Sequence, residues 1–115
     1  MKETWRGWQA HWCLHCDWHL NTMIELNGTE FIVSSVGEAR KLTNDYTELN
    51  GNGDLYETMV FKVSYIGRDI VQKEMARFTR GYKNQDDAQK GHCEVLAKVK
   101  KWLIEGCREE KLHGN

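Results

Sequence analysis

The sequence predicts an α+β fold, in which an antiparallel sheet of about four strands is covered on one face by a long C-terminal helix. Three observations predict it. Residues 56–65 alternate in the manner of a half-buried strand, two β-prone segments flank Asn27-Gly28, and apolar residues after position 86 recur at helical spacing. Asn-Gly between two such segments is the strongest local signal of a hairpin, because both turn positions require positive φ.

Residues 56–65 are the predicted central strand, since they form the longest run rich in β-branched and aromatic side chains. Met59, Phe61 and Val63 share one face of this strand. We predict that the closing helix packs on that face.

Two weaker segments flank the central strand. The polar residues 37–54 are interpreted as a long loop, and a further strand is predicted within residues 72–80. Gly81 is expected to end that strand before the helix begins.

The helix is the clearest element of the sequence. Asn84 or Asp86 suits its N-cap, and acidic side chains in the first turn suit the positive end of its dipole. Gly106 is predicted to end it, with a continuation through Glu110 as the alternative. Its apolar stripe consists of Ala88, Val95, Leu96, Val99, Trp102 and Leu103, with His92 on the same stripe.

The composition indicates one small domain, because 115 residues with 40% hydrophobic side chains and no proline build a single core. The 16 basic and 17 acidic side chains leave a formal net charge of −1, so no general attraction to long nucleic acids or anionic membranes is expected. No apolar stretch has the length of a signal peptide or a membrane span, which predicts a soluble cytoplasmic protein. We predict one domain over residues 1–115, with a tryptophan-rich arm (1–20), the sheet (21–80) and the helix (84–106).

The arm carries more apolar surface than a free terminus normally exposes. Its spacing fits a helix as well as a strand, and we favour a short helix or irregular arm followed by a strand. One helix shields only one face of a sheet, so the arm or a second copy of the chain is expected to cover the other. We therefore predict a homo-oligomer, at least a dimer. The tryptophans of the arm are Trp5, Trp8, Trp12 and Trp18.

Cys13, Cys16 and His19 have the spacing of three ligands of a tetrahedral zinc site. A fourth ligand would have to come from elsewhere in the fold, and the second half of the chain repeats no such motif. Reduced thiols packed beside tryptophans are therefore the favoured interpretation, with zinc as the alternative. Disulfides are not expected without an export signal.

Little in the sequence indicates catalysis. Glu57 and His92 would form an acid–base pair if the contact between sheet and helix brought them together. A single histidine on an apolar helix stripe is more often a packed core residue, and the sequence has no phosphate-binding loop or nucleophile elbow. We predict that the protein is not an enzyme.

A basic and aromatic stretch spans the last predicted strand and the loop into the helix. Guanidinium groups suit phosphate oxygens, aromatic faces suit a base, and the free amides of a helix N-terminus favour an anion. The stretch is therefore a candidate nucleotide site, and the alternative is a solvated edge strand with protective charges. The candidate ligand-binding residues are Arg77, Phe78, Arg80, Tyr82, Lys83 and Asn84.

Three segments taken together resemble a family of small phage-encoded proteins. They are residues 31–36 (FIVSSV), 56–61 (YETMVF) and 87–92 (DAQKGH), and their order and spacing match as well as their content, although Ser35 stands where threonine is usual. This group is similar to the Thoeris anti-defence proteins, which bind cyclic ADP-ribose signals made by bacterial immune enzymes and hold them without cleaving them. The resemblance implies a small oligomer with nucleotide pockets at subunit boundaries, acting in an infected bacterium.

The resemblance and the basic stretch together predict a non-enzymatic phage protein that sequesters a cyclic nucleotide-type immune signal, such as a cyclic ADP-ribose isomer, without a cofactor. Two alternatives stay open. One is an inhibitor that captures a host protein through the tryptophan-rich arm, and the other is a small zinc-binding protein.

Overall fold

The computed structural model describes residues 2–6, 16–40, 45–49 and 52–112. Within these residues one antiparallel sheet is covered on one face by one long helix, so the α+β prediction is confirmed. The elements in chain order are β1 (Lys2–Arg6), β2 (Cys16–Leu26), β3 (Thr29–Arg40), β4 (Tyr46–Thr47), β5 (Tyr56–Ile66), β6 (Asp69–Glu74), a 3-10 helix (Ala76–Phe78), β7 (Arg80–Tyr82) and α1 (Gln85–Leu112).

The strands lie in the order β1-β2-β3-β5-β6, and the short strands β4 and β7 pair with β3 and β5. β6 and β7 pair with different parts of β5, on the side that β3 leaves open. They therefore follow one another along the same edge of the sheet, while β1 forms the opposite edge.

The predicted hairpin at Asn27-Gly28 is confirmed. Asn27 has a φ of 54° and Gly28 a φ of 82°, the two positive values that a two-residue turn of this kind needs. Leu26 pairs with Thr29 beside the turn, and the register continues from there to Cys16 opposite Ala39.

β3 is longer than predicted, because it passes through Gly37 and ends at Arg40. Gly37 lies in the strand opposite Tyr56, and a Cβ at this position would overlap the Tyr56 ring. The glycine therefore makes room for an aromatic ring within the sheet. The prediction of a loop from residue 37 onward is wrong for this part of the segment.

The edge beside β5 also differs from the prediction. A two-residue turn at Gly67-Arg68, with a φ of 63° at Gly67, starts β6 at Asp69 instead of within residues 72–80. Gly81 does not break a strand, since it lies inside β7 opposite Glu57.

Asn84 caps α1, as its position in the sequence predicts. Its side-chain Oδ1 accepts a hydrogen bond of 2.9 Å from the backbone N–H of Asp87. The helix then continues past Gly106 to Leu112, because a single glycine among good helix formers costs only about 1 kcal/mol. No helix of the described residues is long and apolar enough to cross a membrane.

α1 packs on the face of the sheet that carries Ile24, Val33 and Val60, and these three side chains are completely buried. The prediction that it packs on Met59, Phe61 and Val63 is wrong. Both faces of β5 carry apolar side chains, so the alternation along the strand does not by itself decide which face meets the helix.

The other face of the sheet is buried as well. Met23, Ile32 and Val63 form a separate cluster there, with exposures of 9%, 2% and 6%. The central strands thus carry buried apolar side chains on both faces, although the alternation of residues 56–65 predicts a half-buried strand.

The first turns of α1 approach β7 closely at Gly91. The Tyr82 ring lies against this glycine, and Tyr82 belongs to a buried cluster with Tyr56 and Ala88. A side chain at position 91 would overlap the ring, so the glycine sets the distance between the helix and the sheet.

Gly91→Ala is expected to lower the free energy of unfolding by about 1–3 kcal/mol, because the new methyl group has to displace Tyr82 or lift the helix. Gly106→Ala is the matched control. A Cβ at position 106 meets no atom within 4 Å, so this change is expected to raise stability by up to about 1 kcal/mol. Urea denaturation of both variants measures the difference, and equal effects of the two changes would contradict the close approach at Gly91.

Candidate functional site

A buried imidazole lies at the centre of the interface between helix and sheet. His92 on α1 is 0% exposed, and both ring nitrogens are hydrogen-bonded to hydroxyl groups of the sheet. Thr22 Oγ1 lies 2.9 Å from Nε2, and Ser35 Oγ lies 2.6 Å from Nδ1. Ser35 Oγ also lies 2.6 Å from Thr58 Oγ1, so neighbouring strands β2, β3 and β5 each contribute one hydroxyl.

The hydrogen bonds of this network fit a neutral imidazole. One ring nitrogen carries a proton and donates, and the other accepts from a hydroxyl. If Ser35 donates to His92, Thr58 donates to Ser35. If His92 donates to Ser35, either hydroxyl can donate in the bond between Ser35 and Thr58. Burial lowers the pKa of His92 from 6.5 to about 4, against a smaller opposing effect of the Glu3 carboxylate.

Glu57 and His92 do not form an acid–base pair, the alternative that the sequence disfavoured. Thr58 reaches His92 through Ser35, and adjacent residues of a strand point to opposite faces of the sheet. Glu57 therefore lies on the face that is turned away from α1. His92 is a packed residue with satisfied hydrogen bonds, the interpretation that the sequence favoured.

Most of the predicted ligand-binding residues take part in contacts within the chain. Arg80 Nη1 donates to Glu94 Oε2 at 2.7 Å. Lys83 Nζ lies 3.0 Å from Asp54 Oδ1 and donates to a backbone carbonyl at 2.6 Å. Tyr82 is buried against Gly91, so only part of the predicted stretch is open to a ligand.

The six residues also do not form one site. Asn84 and Lys83 lie at the N-terminal end of α1, whereas Arg77 and Phe78 lie beside Trp102 near its other end. The helix between Asn84 and Trp102 is about 27 Å long at 1.5 Å per residue. A single small molecule therefore does not contact both groups.

Arg77 is the centre of a smaller surface near the C-terminal half of α1. Its guanidinium carbon lies 4.8 Å from the Phe78 ring centroid and 4.6 Å from the Trp102 ring centroid. The Trp102 ring meets the Phe78 and Phe31 rings edge to face, each at 5.9 Å between centroids. These contacts hold the guanidinium in one position while leaving the residue exposed.

Lys62 lies next to this aromatic group, because it pairs with Phe31 across β3 and β5. Directly paired residues point to the same face, so the Lys62 side chain is on the helix side of the sheet, as Phe31 is. No carboxylate of the described residues forms an ion pair with Arg77 or Lys62. We refer to Lys62, Arg77, Phe78 and Trp102 as the Arg77 surface.

Sequence reasoning found half of the Arg77 surface and missed Lys62 and Trp102. Lys62 shares the period of two with Val60, and Trp102 belongs to the apolar stripe of α1. If Val60, and not Phe61, had been assigned to the face of β5 that meets the helix, Lys62 and Trp102 would have been placed on the same side of the sheet.

The described residues leave the zinc hypothesis untested. Cys16 is disulfide-bonded, contrary to the expectation of reduced thiols, whereas Cys93 is a free thiol. Cys16 and His19 are three positions apart in β2, so their side chains point to opposite faces. Cys13 lies outside the described residues, as do Trp8 and Trp12 of the arm. Within the described part of the chain, no group of three potential ligands is placed to hold a metal ion.

The buried imidazole predicts a loss of stability in mild acid. The unfolded chain binds a proton on His92 below about pH 6.5, whereas the folded protein does so only near pH 4. The stabilisation that comes from keeping His92 neutral in the folded protein is therefore fully present above pH 6.5 and is lost as the pH falls toward 4. Over that interval the free energy of unfolding is expected to fall by about 3 kcal/mol, measured by urea denaturation at a series of pH values.

His92→Gln is the control, because its amide still forms hydrogen bonds but does not titrate. The pH dependence that the wild type shows beyond this variant isolates His92 from the carboxylates that also titrate in acid. A folded-state imidazole that titrates near pH 6.5 by NMR would show that the site is not desolvated.

No protein-family model, curated protein or solved structure matches the chain significantly. The resemblance to the Thoeris anti-defence proteins therefore stays a prediction.

Proposed function

We propose that this protein is a non-catalytic binding protein that sequesters a small nucleotide-type anion, such as a cyclic ADP-ribose isomer, on the Arg77 surface. The observation that carries the proposal is the position of the Arg77 guanidinium, 4.6 Å from the Trp102 ring centroid and without a carboxylate partner among the described residues. In the phage setting that the sequence resemblance predicts, such binding would keep an immune signal from its effector.

The chemistry of the surface suits a ligand that combines phosphate with a base. The Arg77 guanidinium lies close to two aromatic rings, and its fork of N–H groups matches two oxygens of one phosphate. The aromatic rings beside it can stack on a base, as aromatic side chains do when they bind nucleotides. Arg77 and its neighbouring rings thus suit both parts of a nucleotide.

Lys62 supports the same ligand class. A second cation on the same side of the sheet suits a diphosphate, whose two charges exceed what one guanidinium neutralises. The chain as a whole carries a formal charge of −1, so the attraction is confined to this surface and does not extend to a long polyanion.

Arg77→Ala is expected to weaken binding of a cyclic ADP-ribose isomer about ten- to a hundredfold, because charge-assisted hydrogen bonds contribute about 1.5–3 kcal/mol. Arg77→Lys keeps the charge but loses the bidentate geometry, so it is expected to restore only part of the affinity. Isothermal titration calorimetry with cyclic ADP-ribose isomers and cyclic oligonucleotides measures both.

Arg80→Ala is the matched control, because it removes the same side chain from a residue that is paired with Glu94. Its affinity is expected to equal that of the wild type. Absence of binding to every nucleotide tested would overturn the proposal. An equal loss of affinity in the Arg77 and Arg80 variants would show that the ligand does not bind at the Arg77 surface.

Mass spectrometry of the ligand released by heat denaturation tests the absence of catalysis. A sequestering protein returns the bound nucleotide with its mass unchanged after prolonged incubation. A hydrolysed or rearranged product would show that the protein is an enzyme.

A further inference from the structure

The outer edge of β6 is open in the described structure. β6 ends the strand order, and five of its six residues are exposed. Ile70 is 64% exposed and Val71 44%, which is unusual for β-branched residues in a strand. An exposed edge with apolar side chains is a ready site for pairing with another strand.

The hairpin determines which backbone groups of β6 point outward. Ile66 pairs with Asp69 across the two-residue turn, and in such hairpins this first pair exchanges both hydrogen bonds. Because the pattern alternates, Asp69, Val71 and Lys73 are bonded to β5. Ile70 and Gln72 direct their N–H and C=O groups to the outer side.

We propose that β6 pairs with β6 of a second copy of this chain, antiparallel, with Val71 opposite Val71 on the two-fold axis. Ile70 of each copy is then opposite Gln72 of the other, and these are the residues whose backbone groups point outward. The two sheets join into one continuous sheet. This inference does not depend on the proposed ligand.

The charges of β6 select this register. With Val71 on the axis, Asp69 of each copy is opposite Lys73 of the other, and Arg68 in the turn lies across from Glu74. A shift by two residues in either direction places Asp69 opposite Met75 or Val71 and removes every such pair. A shift by one residue places the outward N–H and C=O groups of one strand opposite residues of the other strand whose groups point to β5. Such a register forms no hydrogen-bond ladder.

The charged side chains involved have no ion-pair partner within the described part of the chain. Lys73 instead lies directly opposite Lys62 on β5, a like-charge pair that is unfavourable in a sheet. Asp69 of the second copy would lie on the other side of Lys73 and offset that repulsion. The charges that protect an edge strand against pairing repel an identical strand. The charges of β6 would instead attract β6 of a second copy.

Two single variants and their mixture test the register. Sedimentation equilibrium of the wild type is expected to show a concentration-dependent shift from the 13.5 kDa monomer to twice that mass, since an interface of one strand is small. In Asp69→Lys, lysine at position 69 of one copy faces Lys73 of the other, and in Lys73→Glu, glutamate at position 73 faces Asp69. Both changes place like charges opposite each other. Each variant alone is expected to stay monomeric.

A mixture of the two variants is expected to form a one-to-one heterodimer, because every cross-axis pair then joins opposite charges. Lys90→Glu, an exposed charge change on α1, is the control and is expected to dimerise like the wild type. A wild type that stays monomeric to its solubility limit would overturn the proposal, as would single variants that still dimerise. Variants that are monomeric but fail to associate with each other would overturn the register.

Discussion

The burial of a neutral histidine between α1 and the sheet is the constraint on which the rest of the fold depends. His92 is completely buried, and an imidazole without partners there would cost about 1–3 kcal/mol for each unpaired nitrogen. Thr22, Ser35 and Thr58 provide the partners only if β2, β3 and β5 keep one register, since a slip of one residue would turn the hydroxyls to the far face. The network therefore ties the position of the helix to the alignment of three strands.

The regions beside the two ends of α1 differ in chemistry. At the N-terminal end, Tyr56 donates a hydrogen bond of 2.8 Å to Glu38, which adopts a φ of 57°, and burial together with this bond raises the pKa of Tyr56 to about 12. Ion pairs such as that of Lys83 with Asp54 use the charges of this region. Near the C-terminal half, aromatic rings hold Arg77 without neutralising it. Arg77 and the charged side chains of β6 form no ion pair among the described residues, so they are available to a ligand or a second copy.

Local chemistry was enough to predict the class of fold and several of its boundaries. Asn27-Gly28 specifies a hairpin because few residues other than glycine and asparagine tolerate positive φ, and Asn84 specifies a helix start because its side chain replaces a missing backbone acceptor. Both effects act within a few residues. Residues 56–65 were equally clear as a strand, since β-branched and aromatic side chains favour that conformation wherever the strand lies.

The sequence by itself thus determined an antiparallel sheet with one covering helix, whereas only the tertiary structure decided which face the helix covers and which side chains meet. Val60 and Phe61 are both apolar, so the choice between their rows depended on the fit of His92 to hydroxyls on three strands distant in sequence. Arg77 was visible as a basic residue, but its contact with Trp102 required α1 to lie along the sheet. Contacts of this kind are set by packing over long sequence separations, on which local conformational preference carries no information.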